Sequence, residues 1–82
     1  MLRTDLESLA KASEEAGLKM SDDLKAFVEG IDKGKFEATE LEQILKRLKN
    51  ETGNNISKET RQMRTNVEKQ VGDPKVVNKV ME

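Results

Sequence analysis

The sequence predicts an all-α fold. Four segments space their apolar residues at alternating steps of three and four, and glycines or polar turns separate them. No stretch alternates with period two, and no Asn-Gly or Asp-Gly hairpin signal occurs. The expected architecture is a small compact bundle of four helices plus a short C-terminal helix. Residues 1–82 form a single helical domain, because 82 residues leave room for one core only.

The first segment opens at Thr4, where Thr4 and Glu7 stand three apart as in a capping box. Leu2, Leu6, Leu9, Ser13 and Ala16 share one stripe, and Gly17 can end the helix by taking positive φ. Ser21 is the N-cap expected for the second helix, with Asp22 and Asp23 suited to the helix dipole. Leu24, Phe27, Val28 and Ile31 form its apolar face. Gly30 weakens this helix by about 1 kcal/mol relative to Ala, Gly34 ends it, and Phe36 in the following link plugs the core.

Thr39 and Glu42 form a second capping box, after which Leu41, Ile44, Leu45 and Leu48 line one face. Lys46, Arg47 and Lys49 fill the last turns, where cations suit the dipole. Gly53-Asn54-Asn55 breaks the pattern, since both residue types tolerate left-handed backbone. Ser57 caps the fourth helix, in which Ile56, Thr60, Met63, Val67 and Val71 keep the same rhythm until Gly72. Asp73-Pro74 reads as N-cap and N1 proline of a last, two-turn segment. So short a helix is unstable alone in water and must dock. The expected core is Leu6, Leu9, Leu24, Phe27, Val28, Ile31, Phe36, Leu41, Ile44, Leu45, Leu48, Ile56, Met63 and Val67.

Nineteen of the 82 residues are Leu, Ile, Val or Phe, just above the roughly 20% below which a composition reads as disordered. Charged residues make up 38% of the chain, yet the formal net charge is only -1, so self-repulsion does not oppose folding. The charge is segregated along the chain. Residues 1–40 carry a net -4 and residues 41–82 a net +3.

The chain has no Cys, His, Trp or Tyr. That removes disulfides, thiolate metal sites, cysteine nucleophiles, the usual general base and the best aromatic anchors. Paired carboxylates could still do acid–base work, but only in a cleft that shifts one pKa, and short packed helices leave little room for one. No phosphate loop, nucleophile elbow or metal-ligand spacing is present. A non-enzyme is expected, with no catalytic residue, no metal ligand and no cofactor. No window is apolar enough to span a membrane, and an acid at the fifth residue argues against a signal peptide. A cytoplasmic chain is expected, and Met1 is read as the start of a whole gene product.

Two candidate binding faces stand out. Lys58, Arg61 and Lys69 point away from Ile56, Met63 and Val67 on the fourth helix, with Arg64 on the flank. Such a stripe can track phosphates or meet an acidic protein surface. Equally, it can be a solvated face with ion pairs to Glu59 and Glu68. In the last segment Val76, Val77, Val80 and Met81 make an apolar face suited to self-association or partner docking. The acids Asp5, Glu7, Glu14, Glu15, Asp22, Asp23, Glu29 and Asp32 could greet a basic partner, but many serve helix N-termini.

Gly34, Phe36, Glu40 and the run Glu40-Leu41-x-x-Ile44-Leu45-x-x-Leu48 resemble the second half of an EF-hand. In that register the early calcium ligands fall on Glu29, Ile31 and Lys33, two of which cannot supply a carboxylate. The resemblance therefore implies a degenerate hand that packs without metal, and an ordinary helix–turn–helix corner accounts for the same residues. Helices three and four fit a DNA-binding helix-turn-helix poorly, since Lys49, Glu59 and Gln62 fall where small or apolar residues belong. Residues 24–71, with Asn55-Ile56-Ser57, are loosely similar to small helical chromatin-associated modules such as the DEK C-terminal domain.

The expected function is that of a small regulatory, adaptor or inhibitor protein, of the kind phage and mobile elements encode, acting by binding a macromolecule. A protein is the expected partner, and a homo-oligomer could form through the C-terminal segment. The alternative is a nucleic-acid-binding protein using the basic face of the fourth helix.

Overall fold

The computed structural model describes residues 2–52 and 56–80, which form five helices and no strand. They are α1 (Leu2–Glu15), α2 (Met20–Asp32), α3 (Ala38–Thr52), α4 (Lys58–Val71) and α5 (Pro74–Val80). α1 packs against α2 and α4, and α3 packs against the same two. The four long helices thus close a ring in chain order, with α2 and α4 across one diagonal and α1 and α3 across the other. α5 lies against α4 and α1.

Each long helix turns one apolar stripe inward, as three-four spacing requires. The core comprises Leu2, Leu6, Leu9 and Ala10 of α1, Met20, Leu24, Phe27 and Val28 of α2, Leu41, Ile44, Leu45 and Leu48 of α3, and Val67 and Val71 of α4. Ten of the fourteen core residues expected from sequence are buried. The other four, Ile31, Phe36, Ile56 and Met63, are only half-buried, because they sit at helix ends or on the rim of a stripe. Phe36 meets Phe27 edge to face, ring centres 5.6 Å apart at 72°, a favoured aromatic geometry.

Several helix starts depart from the sequence reading. α1 and α3 begin two and one residues earlier than Thr4 and Thr39, so neither threonine is an N-cap. Glu7 instead turns to Arg3, Oε2 accepting from Nη1 at 2.7 Å. Ser21 is not a cap either. It is buried inside the first turn of α2, whose preceding residue, Lys19, offers no side-chain cap. The cap comes from across the fold: the Glu51 carboxylate of α3 accepts from Lys19 N at 3.0 Å and Met20 N at 3.2 Å. An anion at a helix N-terminus satisfies orphan donors and complements the dipole.

Other ends follow the sequence reading. The Ser57 hydroxyl accepts from Thr60 N at 3.1 Å, and Asp73 Oδ1 accepts from Lys75 N at 2.9 Å. Gly17 and Gly34 take φ of +73° and +83°. At each, a six-to-one bond closes the helix: Leu18 N donates to Ser13 O at 3.0 Å, and Lys35 N to Gly30 O at 2.8 Å. That is the Schellman arrangement, which demands left-handed backbone at the glycine. Gly53-Asn54-Asn55 lies outside the described residues.

Candidate functional site

α4 presents two contrasting faces. Thr60, Arg64, Val67 and Val71 are buried, while Lys58, Arg61, Gln62 and Lys69 are exposed on the opposite side. The ion pairs among the described residues involve other cations. Arg3 pairs with Asp32 and Glu7, Lys25 with Glu14, and Arg64 with Glu68. Lys58, Arg61 and Lys69 are thus left to solvent, with no carboxylate between them. The neutral residues of this face bond locally, Thr65 Oγ1 donating to Arg61 O and Gln62 Nε2 to Asn66 Oδ1, each at 3.0 Å.

Arg64 does not belong with the other three. Its residue exposure is 8%, because four-three spacing from Thr60 and Val67 turns its Cα inward. Nε donates to Glu68 Oε1 at 3.2 Å and Nη1 reaches Thr52 Oγ1 on α3 at 3.5 Å. Arginine can do this because its aliphatic stem packs like a hydrophobe while the head finds acceptors. The basic face holds three cations, not four.

Of the apolar C-terminal face, Val76 is half-buried against the core and Val77 is half-buried. The Val80 side chain and Met81 lie outside the described residues. The acidic set divides. Asp5 accepts from Gln70 Nε2 at 2.6 Å, Glu7 and Asp32 grip Arg3, and Glu14 holds Lys25. Glu15, Asp22, Asp23 and Glu29 face solvent.

The surface has shallow depressions rather than a cleft. One of about 310 Å³ lies between α2 and α3, over Phe27 and Phe36, rimmed by Asp23, Lys35, Glu37, Glu40 and Arg47. Another flanks the basic face, over Met63 between Lys58 and Asn66. Comparison with protein-family models, with curated proteins and with solved structures finds no match to this chain.

Among the described residues no three His, Cys, Asp or Glu side chains converge as a metal site. The EF-hand register fares no better, since Glu29 and Ile31 are inside α2 and only residues 33–37 link it to α3. A calcium loop needs its early ligands on twelve residues of loop rather than on a helix. One surface fork joins α1 to α2. Hydrogen bonds from Arg3 Nε and Nη2, at 2.7 and 2.9 Å, hold the Asp32 carboxyl below its ordinary value, and the same contact raises Arg3. A fully paired fork at the mouth of α1 and α2 ties two helices together rather than offering a base to a substrate. No helix among the described residues is long and apolar enough to cross a membrane.

Glu51 is the structurally important residue that sequence reasoning missed. Its targets lie 31 and 32 positions away, and no local pattern encodes such a partner.

Proposed function

We propose that this chain is a small non-catalytic binding protein that docks the basic face of α4 on an acidic surface of a protein partner, as a regulator, adaptor or inhibitor would. The observation that carries the reading is the exposed strip Lys58, Arg61 and Lys69, free of carboxylates, in a chain whose other described arginines are paired or, like Arg47, lie elsewhere. Unpaired cations on a rigid helix steer association with complementary charge. The strip is narrow, with Glu59 and Glu68 exposed on its flanks. Those carboxylates, and the net -4 of residues 1–40, oppose a broad polyanion such as duplex DNA more than a narrow acidic ridge.

The test uses Lys58→Glu/Arg61→Glu/Lys69→Glu in nuclease-treated capture from host extract, beside a gel shift with duplex DNA. Loss of a nuclease-resistant protein partner in the triple variant supports the reading. Sub-micromolar DNA binding with a log–log salt slope of roughly -3, one unit per cation, would replace it with the nucleic-acid alternative.

A further inference from the structure

The ring of helices converts the segregated charge of the sequence into opposed faces. α2 and α4 stand on one diagonal of the bundle, so their outer faces point in opposite directions. The outer face of α4 carries Lys58, Arg61 and Lys69. The outer face of α2 carries Asp22, Asp23 and Glu29, all exposed, and none of them joins an ion pair among the described residues. Ala26, small and exposed, lies between Asp23 and Glu29 on this face.

Of the nearby cations, Lys25 is held by Glu14 at 2.5 Å and Arg3 is turned to Asp32, Lys19 and Lys33 flank the acids beyond the two ends of the strip, and Lys35 and Arg47 share the depression beside Asp23 without an ion pair to it. At 1.5 Å rise per residue, Arg61 and Lys69 are about 12 Å apart along α4, and Asp22 and Glu29 about 10.5 Å apart along α2. The Arg61–Lys69 and Asp22–Glu29 spacings match within one side chain's reach, while Lys58 extends the basic strip to about 16.5 Å. A net charge of -1 leaves almost no overall repulsion between copies.

We infer that the acidic surface met by α4 is α2 of a second copy of this chain, giving head-to-tail self-association. This rests on the reading of α4 as a protein-docking face and names its occupant. Because the two faces point apart, one pair of molecules cannot satisfy both contacts. The association is heterologous and continues into chains or a ring rather than stopping at a two-fold dimer. It is also weak and salt-sensitive, since the contact is polar and solvent-exposed, with a dissociation constant on the order of 0.1–1 mM.

Sedimentation equilibrium at about 1 mM protein, a concentration at or above that constant, measures it. At low ionic strength the weight-average mass should exceed the 9.3 kDa monomer and grow with concentration. In about 1 M salt, where screening acts over ~3 Å, it should return to the monomer. Two variants, each checked for helicity, separate the faces: Lys58→Glu/Arg61→Glu/Lys69→Glu on α4, and Asp22→Lys/Asp23→Lys/Glu29→Lys on α2. Each alone should weaken association by about tenfold or more, and mixing them should restore it, because each now complements the other. A wild-type chain that stays monomeric overturns the inference, and so does association that ignores both variants, as packing through the valines of α5 would. The α4 reading itself survives a monomeric wild type if the α4 variant still loses a different acidic protein, and falls if it loses none.

Discussion

Ser13 offers the sharpest test of the packing. Its residue is fully buried in α1, and Oγ has no hydrogen-bond partner. A buried hydroxyl left unmade costs roughly 1–3 kcal/mol in desolvation, and Ala is the better helix former by a few tenths of a kcal/mol. Against this, Ser13→Ala removes one atom from the core, which leaves too small a void to matter much. The expected net effect is stabilisation by about 1–2 kcal/mol. For a domain of this size each kcal/mol moves Tm by roughly 4–8 °C, so a calorimetric melt should rise by several degrees. Thr52→Val is the matched control. Thr52 is equally buried, but its hydroxyl donates to Leu48 O at 2.9 Å and meets Arg64. Removing that hydroxyl should cost about 1 kcal/mol. A lower Tm for Ser13→Ala would refute the reasoning, since it would mean that Oγ has a partner the geometry does not give it.

Three further outcomes are expected. Glu51→Ala should destabilise by about 1–2 kcal/mol in urea melts, with earlier amide exchange at Lys19 and Met20, because the cap of α2 is lost; unchanged exchange there would remove Glu51 from that role. Arg64→Ala should cost about 1–2 kcal/mol through lost packing and pairing, whereas Ala at Lys58, Arg61 or Lys69 should stay within about 0.5 kcal/mol, and equal losses at all four would contradict the two-faced α4. For pH, the Asp32 carboxyl is held below its unfolded value of about 3.9, so its contribution is present above that pH and is lost as pH falls through the lower folded value. Asp32→Asn should therefore flatten the acid limb of a Tm-against-pH curve below about pH 4, and an unaltered limb would show the fork is inert.

Much of the fold was legible because its signals are local. The stripes of Leu24, Phe27 and Val28 and of Leu41, Ile44, Leu45 and Leu48 point inward as three-four spacing requires, and Ser57, Asp73, Gly17 and Gly34 end or begin helices where their backbone preferences put them. The capping boxes at Thr4 and Thr39 failed for a related reason: their motifs fit one turn into a helix almost as well as at its start, and packing of Leu2 into the core extended α1 backward. Of the candidate face, Lys58, Arg61 and Lys69 were readable from the wheel, but the fate of Arg64 was not. A long side chain on a flank can turn either way, and the acceptors at Thr52 and Glu68 decide which.

The sequence alone determined an all-α chain, its helix count and its separation of charge into an acidic half and a basic half, since periodicity, caps and composition act within a few residues of themselves. The tertiary structure decided what those features face. Glu51 became the cap of α2, Ser13 was left without a partner, Arg64 was taken out of solvent, and the acidic strip of α2 and the basic strip of α4 were set on opposite corners of one ring. Each of these depends on which groups meet across helices far apart in the chain, and such meetings follow from the packing of whole faces, which no local pattern specifies.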